Sequence, residues 1–258
     1  MSAPVHWLSG LPVMLVLAVL AWAVATTRRN VGLVDIFWST FFVAGAAVYA
    51  ATTPVRGART LLVLALVTAW ALRLAVYLAV RNWNAPEDHR YRDIRARNQP
   101  GFAWKSLYLV FGLQALLAWL ISAPLAASIA AAAPLGALDV IGTLLAAFGI
   151  AFEACADAQL ARFKATAATA GRVMDRGLWR YSRHPNYFGE FCVWWGLYAI
   201  ALGAGGWWTL LSPLLMSLLL LRVSGVTLLE QNIAERRPAY RDYVARTNAF
   251  FPGPRRES

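Results

Sequence analysis

"LSGLPVMLVLAVLAWAVAT", residues 8–26, contains no charged side chain. About 20 apolar residues suffice for a helix to cross a bilayer, and this stretch is of that length. Working outward from it, six further apolar runs of comparable length follow, at about 33–52, 60–80, 105–130, 135–158, 187–204 and 207–229. Backbone groups in hydrocarbon must be satisfied within their own segment, which makes these runs helices rather than open strands. The expected fold is an all-α polytopic membrane protein with about seven transmembrane helices. Composition agrees: of 258 residues, 59% are hydrophobic and 14% charged, where a soluble domain carries roughly 25% charged residues. No polar block is long enough for a separate soluble domain, so residues 1–258 read as one membrane-embedded domain.

The first run is not a cleaved leader on this reading. "MSAPVHW" lacks a basic start, and "ATTRRNVG" places its arginines after the apolar stretch. Lysine and arginine counts set the orientation. Arg28 and Arg29 and the basic loops 81–105, 162–183 and 236–256 lie on one side. Arg56 and Arg59 lie on the other, and Arg73 and Arg222 fall inside apolar runs. The bias puts the C-terminus in the cytoplasm and, with seven crossings, the N-terminus outside. The net charge of +11 is therefore mostly topological and does not argue for nucleic acid. Cys155 and Cys192 fall in helices near the reducing side, so neither a disulfide nor a metal site is expected of them.

Ionisable residues inside spans are costly and tend to mark a site or a partner. Asp35 sits just inside the second run, in "GLVDIFWST". Trp70, Arg73, Tyr77 and Arg81 share one helix face. Asp139, at the start of the fifth run, reads as a solvated helix end. Glu153 and Asp157 are four apart on the same run, with Lys164 continuing their stripe; Asn186 and Glu190 are four apart on the sixth, and Arg222 and Glu230 eight apart on the seventh. One explanation is a set of interhelical ion pairs, such as Arg73 with Asp35 and Arg222 with Glu190. The other, which covers the whole set, is a polar pocket open to the cytoplasm. The loop "RNWNAPEDHRYRDIRARNQPGFAWK" (81–105) fits either a lid over such a pocket or an interfacial, snorkelling segment.

"RYSRHPNYFGEF", residues 180–191, concentrates cations at a helix start. Pro185 suits the first turn of a helix and biases His184 away from helical geometry. Arg180, Arg183 and His184 flank the free N–H groups there, which makes an anion site. Arginine's fork matches phosphate oxygens, and Arg162, Lys164, Arg172, Arg236, Arg241 and Arg246 add charge. On charge alone, a ligand with several phosphates and an anionic lipid headgroup remain equal alternatives.

"GLWRYSRHPNYFGEFCVWWG", preceded by "DAQLARFK" and followed by "YRDYVARTNAFFP", resembles the C-terminal region of the steroid 5-alpha-reductase-like membrane family. The match is to its bacterial branch, long catalogued as a domain of unknown function. "VDIFW", "AWALRLAVYLAVR" and "EDHRYRDIR" extend the resemblance into the N-terminal half. Related His-Pro motifs occur in sterol C14-type reductases and in isoprenylcysteine-type methyltransferases. The resemblance implies a reductase of a bacterial inner membrane that binds NADPH at its cytoplasmic face through residues 135–258. It would move hydride to a conjugated carbon–carbon double bond of a lipid-soluble, steroid- or isoprenoid-like substrate. By motif position, Asp157, Lys164, Arg172, Asn186, Tyr187, Glu190 and Arg222 would contact the dinucleotide; Arg180, Arg183 and His184 are added for its phosphates on charge. The family's acid pair would fall on Asp35 and Tyr77, with Asp where the steroid enzymes have Glu. Trp38, Trp70, Trp194 and Trp195 either line a cavity for a flat substrate or simply pack.

Two rival readings use the same residues. A methyltransferase using S-adenosylmethionine would share the helix-start site without needing a phosphate cluster; its paired acids near the last helix are replaced here by Glu230 followed by Gln231. A non-catalytic binder of anionic lipid would depend on summed charge alone.

Overall fold

The computed structural model describes residues 3–54, 57–166, 172–223 and 239–256. Within them the regular structure is helical. Arg56, Glu230, Gln231 and Arg236 lie outside the described residues. By contacts the chain groups into two compact units: Met1–Asp139 with Ile200–Ser212, and Val140–Ala199 with Pro213–Ser258.

The first unit is built from α1 (Ala3–Leu8), α2 (Gly10–Thr27), α3 (Val34–Thr52), α4 (Ala58–Asn82), the polar α5 (His89–Arg97), α6 (Phe102–Ser106), α7 (Leu113–Ile121) and α8 (Ala123–Ile129). A π-helical stretch, Leu107–Gly112, joins α6 to α7 without a break. α3 is the centre: α2, α4, α7 and α8 all pack on it. Phe41, Phe42, Ala46 and Tyr49 of α3 are fully buried, as is Trp70 of α4, whose ring meets Phe42 edge-on at 5.5 Å. In lipid, packing and interhelical hydrogen bonds hold helices together, because the tails are as apolar as leucine. Two such bonds are buried here: Ser39 Oγ donates to Ala71 O at 2.9 Å, and the hydroxyls of Tyr49 and Ser122 meet at 2.8 Å.

The second unit contains α9 (Ala137–Ala165, whose first turn belongs to the first unit), α10 (Pro185–Gly203), α11 (Leu211–Leu218) and α12 (Ala239–Arg246). α9 and α10 approach to backbone contact through small residues. A Cβ placed on Gly149 would lie 2.5 Å from Gly189 O, and one on Gly196 would lie 2.6 Å from both Ala146 N and Gly142 O. A Cβ on Gly189 would lie 2.7 Å from the backbone N of Glu153. This close crossing sets the acidic stripe of α9 beside the first turns of α10.

Among the described residues, five helical segments are long and apolar enough to cross a membrane: Val5–Thr27, Val31–Thr52, Ala58–Asn82, Phe102–Ile121 and Ala137–Ala165. The chain therefore has the character of an integral membrane protein. The last two of the seven expected runs are helical but differ from these five. α10 opens with the polar Asn186, Tyr187 and Glu190, and the described part of the seventh, Trp207–Arg222, is shorter.

Asp139 departs from the sequence reading. It is 2% exposed, not a solvated end, and takes two hydrogen bonds from Arg59, Nε to Oδ1 at 2.7 Å and Nη2 to Oδ2 at 2.8 Å. Arg59 gives two further donors to the carbonyls of Ala133 and Pro134. Buried charge persists when paired and fully hydrogen-bonded, and this pair meets both conditions.

Candidate functional site

In the first unit the polar residues gather around Asp35, at the start of α3. Its Oδ1 accepts the Tyr91 hydroxyl at 2.5 Å, and its Oδ2 accepts Arg90 Nη2 at 3.2 Å. Gln114 Nε2 of α7 donates to the Tyr91 oxygen at 3.4 Å. The sequence reading paired Asp35 with Arg73 or with Tyr77. Among the described residues, the side chains seen to meet Asp35 come from α5, in the long loop. Tyr77 is half-buried, with the Arg81 guanidinium 5.5 Å from its ring centre.

α5 reaches Asp35 because its start is fixed by its own sequence. Asp88 caps it, accepting from Arg90 N at 2.9 Å. Glu87 accepts Arg95 Nε and Nη2 at 2.9 and 2.7 Å and also takes Val31 N at 2.8 Å, tying α5 to the turn between α2 and α3. Asn30 binds the carbonyl of Ala85, and Arg28 stacks over Trp83 at 4.4 Å. With one helical period between Asp88 and Tyr91, the capped helix turns Tyr91 inward and leaves Arg92 exposed. So fastened, this part of the loop is a fixed wall. Burial, and then the neighbouring Asp35 charge, push the Tyr91 phenol well above its usual range. Burial also opposes the charge on Asp88, but the Arg90 hydrogen bonds hold its carboxyl below the ordinary value.

In the second unit, Asn186 Nδ2 of α10 donates to Asp157 Oδ1 of α9 at 3.3 Å. Two motifs separated along the chain thus meet in one bond. Asp157 and Glu190 are buried, His184 is buried and stacked on Tyr187 at 5.6 Å, and Asn186 and Tyr187 are half-buried. Lys164, Arg172, Arg180 and Arg222 are exposed.

Arg183 is placed differently from its exposed neighbours. It is 9% exposed, and its Nη1 donates to Val244 O at 3.1 Å and Thr247 O at 2.6 Å, closing the C-terminal end of α12. Those donors meet carbonyls at a helix end, where cations are favoured. The turn just before α10 is likewise bonded from within: Ser182 Oγ accepts His184 N at 3.1 Å, and Asn248 O accepts Arg183 N at 2.8 Å. Tyr243 of α12 donates to Trp179 O at 2.5 Å, and Ser182 Oγ donates to Phe250 O at 2.8 Å. Phe250 and Phe251 pack their rings on Phe188 and Phe191. The C-terminal segment is thus a strap over the basic turn. Burial raises the Tyr243 phenol above its usual range. The turn beneath seats on α9 through Gly177, whose positive φ of 58° suits glycine, with Gln159 Oε1 accepting Leu178 N at 2.9 Å.

The tryptophans divide between packing and bonding. Trp70 and Trp194 are fully buried, Trp38 meets Phe42 edge-on at 5.3 Å, and Trp195 Nε1 donates to Ser217 Oγ at 3.2 Å. Sequence reasoning missed Tyr91, Arg90 and Gln114 as the surroundings of Asp35. It also missed the strap residues Tyr243 and Ser182, and the glycines that seat α10 on α9. The Asp88-to-Tyr91 spacing and the glycine spacing on the two helices were the available signals.

Fold and site together define an all-helical membrane protein with buried polar constellations near helix starts. The chain belongs to the family described as protein of unknown function (DUF1295), whose model matches residues 21–247. It is also similar to an uncharacterized protein of Schizosaccharomyces pombe, 27% identical over 273 residues, covering 94% of this chain and 78% of that protein. No solved structure matches it.

Proposed function

We propose that the chain is a membrane-embedded, NADPH-dependent reductase that saturates a conjugated carbon–carbon double bond of a lipophilic substrate. In this reading α10 and the helix after it complete seven crossings, with the N-terminus outside and the nucleotide side in the cytoplasm of a bacterial inner membrane. The observation that carries it is the Asn186–Asp157 hydrogen bond, which joins the two motifs of the reductase resemblance. The exposed Lys164, Arg172 and Arg180 belong to the same unit and fit an anionic dinucleotide. Arg183 fits it less well, being bonded to carbonyls within the chain. Asp157, Asn186, Tyr187 and Glu190 would then orient the nucleoside or nicotinamide ends. Bound there, NADPH supplies a hydride. The chain would supply an acid and a water-poor setting.

The test is a thermal-shift comparison of NADPH, NADH and S-adenosylmethionine on the detergent-purified protein. NADPH-specific stabilisation that disappears in Asn186→Ala is the expected result. Stabilisation by S-adenosylmethionine with none from NADPH overturns it in favour of methyl transfer. Equal response to any polyanion, insensitive to Asn186→Ala, points to a lipid-headgroup binder.

A further inference from the structure

We infer that the end of the first unit where α2 and α4 close and α5 docks is a seat for the phosphate of an anionic phospholipid, centred on Arg28, Arg29 and Trp83. The inference does not rest on the reductase reading. Three features of the first unit carry it.

The first is the charge left over once the wall around Asp35 is built. Arg90 is taken by Asp35 and Asp88, and Arg95 by Glu87. Arg28, Arg29, Arg92 and Arg97 are exposed, and among the described residues none of them meets a carboxylate. Asp93 is the exposed acid of α5. The outer surface is positive because most acids of this stretch are turned to partners within the unit. A positive surface beside a membrane draws anionic headgroups.

The second feature is depth. Arg28 directly follows the apolar span Val5–Thr27, and Trp83 directly follows Ala58–Asn82. These two span ends meet where the Arg28 guanidinium lies 4.4 Å from the Trp83 ring centre. Trp104 and Tyr108, 70% and 62% exposed, stand in the opening turns of the span Phe102–Ile121. Trp22 Nε1 of α2 donates to Ala103 O beside them at 2.7 Å. Exposed tryptophan and tyrosine belong at the level of lipid headgroups, so the cations stand at the level of the phosphates. Stacking on Trp83 uses the face of the Arg28 guanidinium and leaves its N–H edge to phosphate oxygens.

The third feature is the backbone of Arg29. α2 ends in a Schellman turn, with Arg29 N donating to Thr26 O at 3.1 Å and Asn30 N to Ala25 O at 2.9 Å. The left-handed position of that turn usually belongs to glycine, yet Arg29 holds it at a φ of 51°. A side chain there carries strain that glycine would not. Any helix C-terminus favours a cation, but Arg28 already supplies one. What Arg29 adds is a second guanidinium beside the first, facing outward, and a phosphate diester of a lipid is the anion present at that depth.

The test mixes detergent-purified full-length protein with equal parts of phosphatidylglycerol and phosphatidylcholine carrying the same chains. Native mass spectrometry reads the ratio of the two lipids bound, and melting temperature without added lipid is the second readout. Wild type should prefer phosphatidylglycerol. Arg29→Gly should cut that preference about fivefold, the worth of one cation at an anionic leaflet, while melting no lower than wild type. Adding Arg28→Gln should bring the loss to about thirtyfold. Arg241→Gln, which removes an exposed charge from α12, should move the ratio by less than about twofold. Should the glycine variant not fold, Arg29→Asn, which also tolerates the left-handed backbone, takes its place. A wild type without preference overturns the seat, and so does an Arg29 variant that keeps the wild-type ratio, which would leave the arginine to helix capping. An equal loss in Arg241→Gln overturns it too, because summed charge would then be attracting the lipid.

Discussion

The two polar constellations are held by different kinds of bond. Around Asp35, side chains hold side chains: Arg90 to Asp35 and Asp88, Tyr91 to Asp35, Gln114 to Tyr91, Arg95 to Glu87. In the C-terminal strap over the basic turn, side chains hold the main chain: Arg183 binds the carbonyls of Val244 and Thr247, Tyr243 those of Trp179 and Ser182, and Ser182 that of Phe250. In the first arrangement either partner can be changed, so the charge state is adjustable residue by residue. In the second, one side of each bond is backbone and cannot be substituted. The first can be altered one residue at a time, and the second suits a platform whose shape must not alter.

That contrast can be broken, and the largest effect should come from the backbone contact. Gly189→Val places side-chain atoms against Glu153 N, 2.7 Å from a Cβ at that position. It should cost about 3 kcal/mol, the upper part of the usual overpacking range, read as a loss of melting temperature in detergent, whereas Gly57→Ala, with nothing within 4 Å of its Cβ, should be neutral. Next comes Arg183→Met, which leaves buried helix-end carbonyls without donors. About 2–3 kcal/mol is expected, and a lysine there should recover only part, because one ammonium lacks the guanidinium fork.

The side-chain pairs should be cheaper and coupled. Glu87→Gln or Arg95→Gln should each cost about 1 kcal/mol, and the double variant should cost little more than either single one. If the two costs add in full, the α5 anchor is not the pair but the Val31 hydrogen bond alone. The smallest effect concerns pH. Burial raises the phenols of both Tyr91 and Tyr243, so the fold favours their neutral forms. That stability is fully present below the ordinary tyrosine value of about 10 and is lost as pH rises beyond it. Alkaline melting curves should flatten in Tyr91→Phe and in Tyr243→Phe.

The membrane character and most helix positions were legible because apolar run length is a strong local signal. The end of the polar stripe was legible too, since Asp157 and Asn186 do meet. The partner of Asp35 was not. Arg73 and Tyr77 lie on the same kind of apolar helix as Asp35 and looked like its natural neighbours, whereas Arg90 and Tyr91 belong to a loop whose docking depends on Glu87 and Val31. The role of Arg183 was hidden for a different reason. Its partners are carbonyl oxygens, which every residue carries, so no side-chain pattern announces them. Asp139 looked solvated because its partner Arg59 is a distant residue on another helix.

The Arg59–Asp139 pair has a practical consequence for mapping which way the chain lies in a membrane. The turn before α9 is an obvious place to insert a reporter, but its Ala133 and Pro134 carbonyls and the Asp139 carboxylate all close on one guanidinium. An insertion there would pull apart a buried charge pair and report on a damaged protein. With Cys155 and Cys192 first replaced by alanine, a cysteine at Gly57, exposed and with open space around its Cβ, lies two residues from Arg59 and labels the same end of α4 without disturbing it. Its reaction with a membrane-impermeant maleimide in intact cells would fix the side of the membrane on which that end of α4 lies.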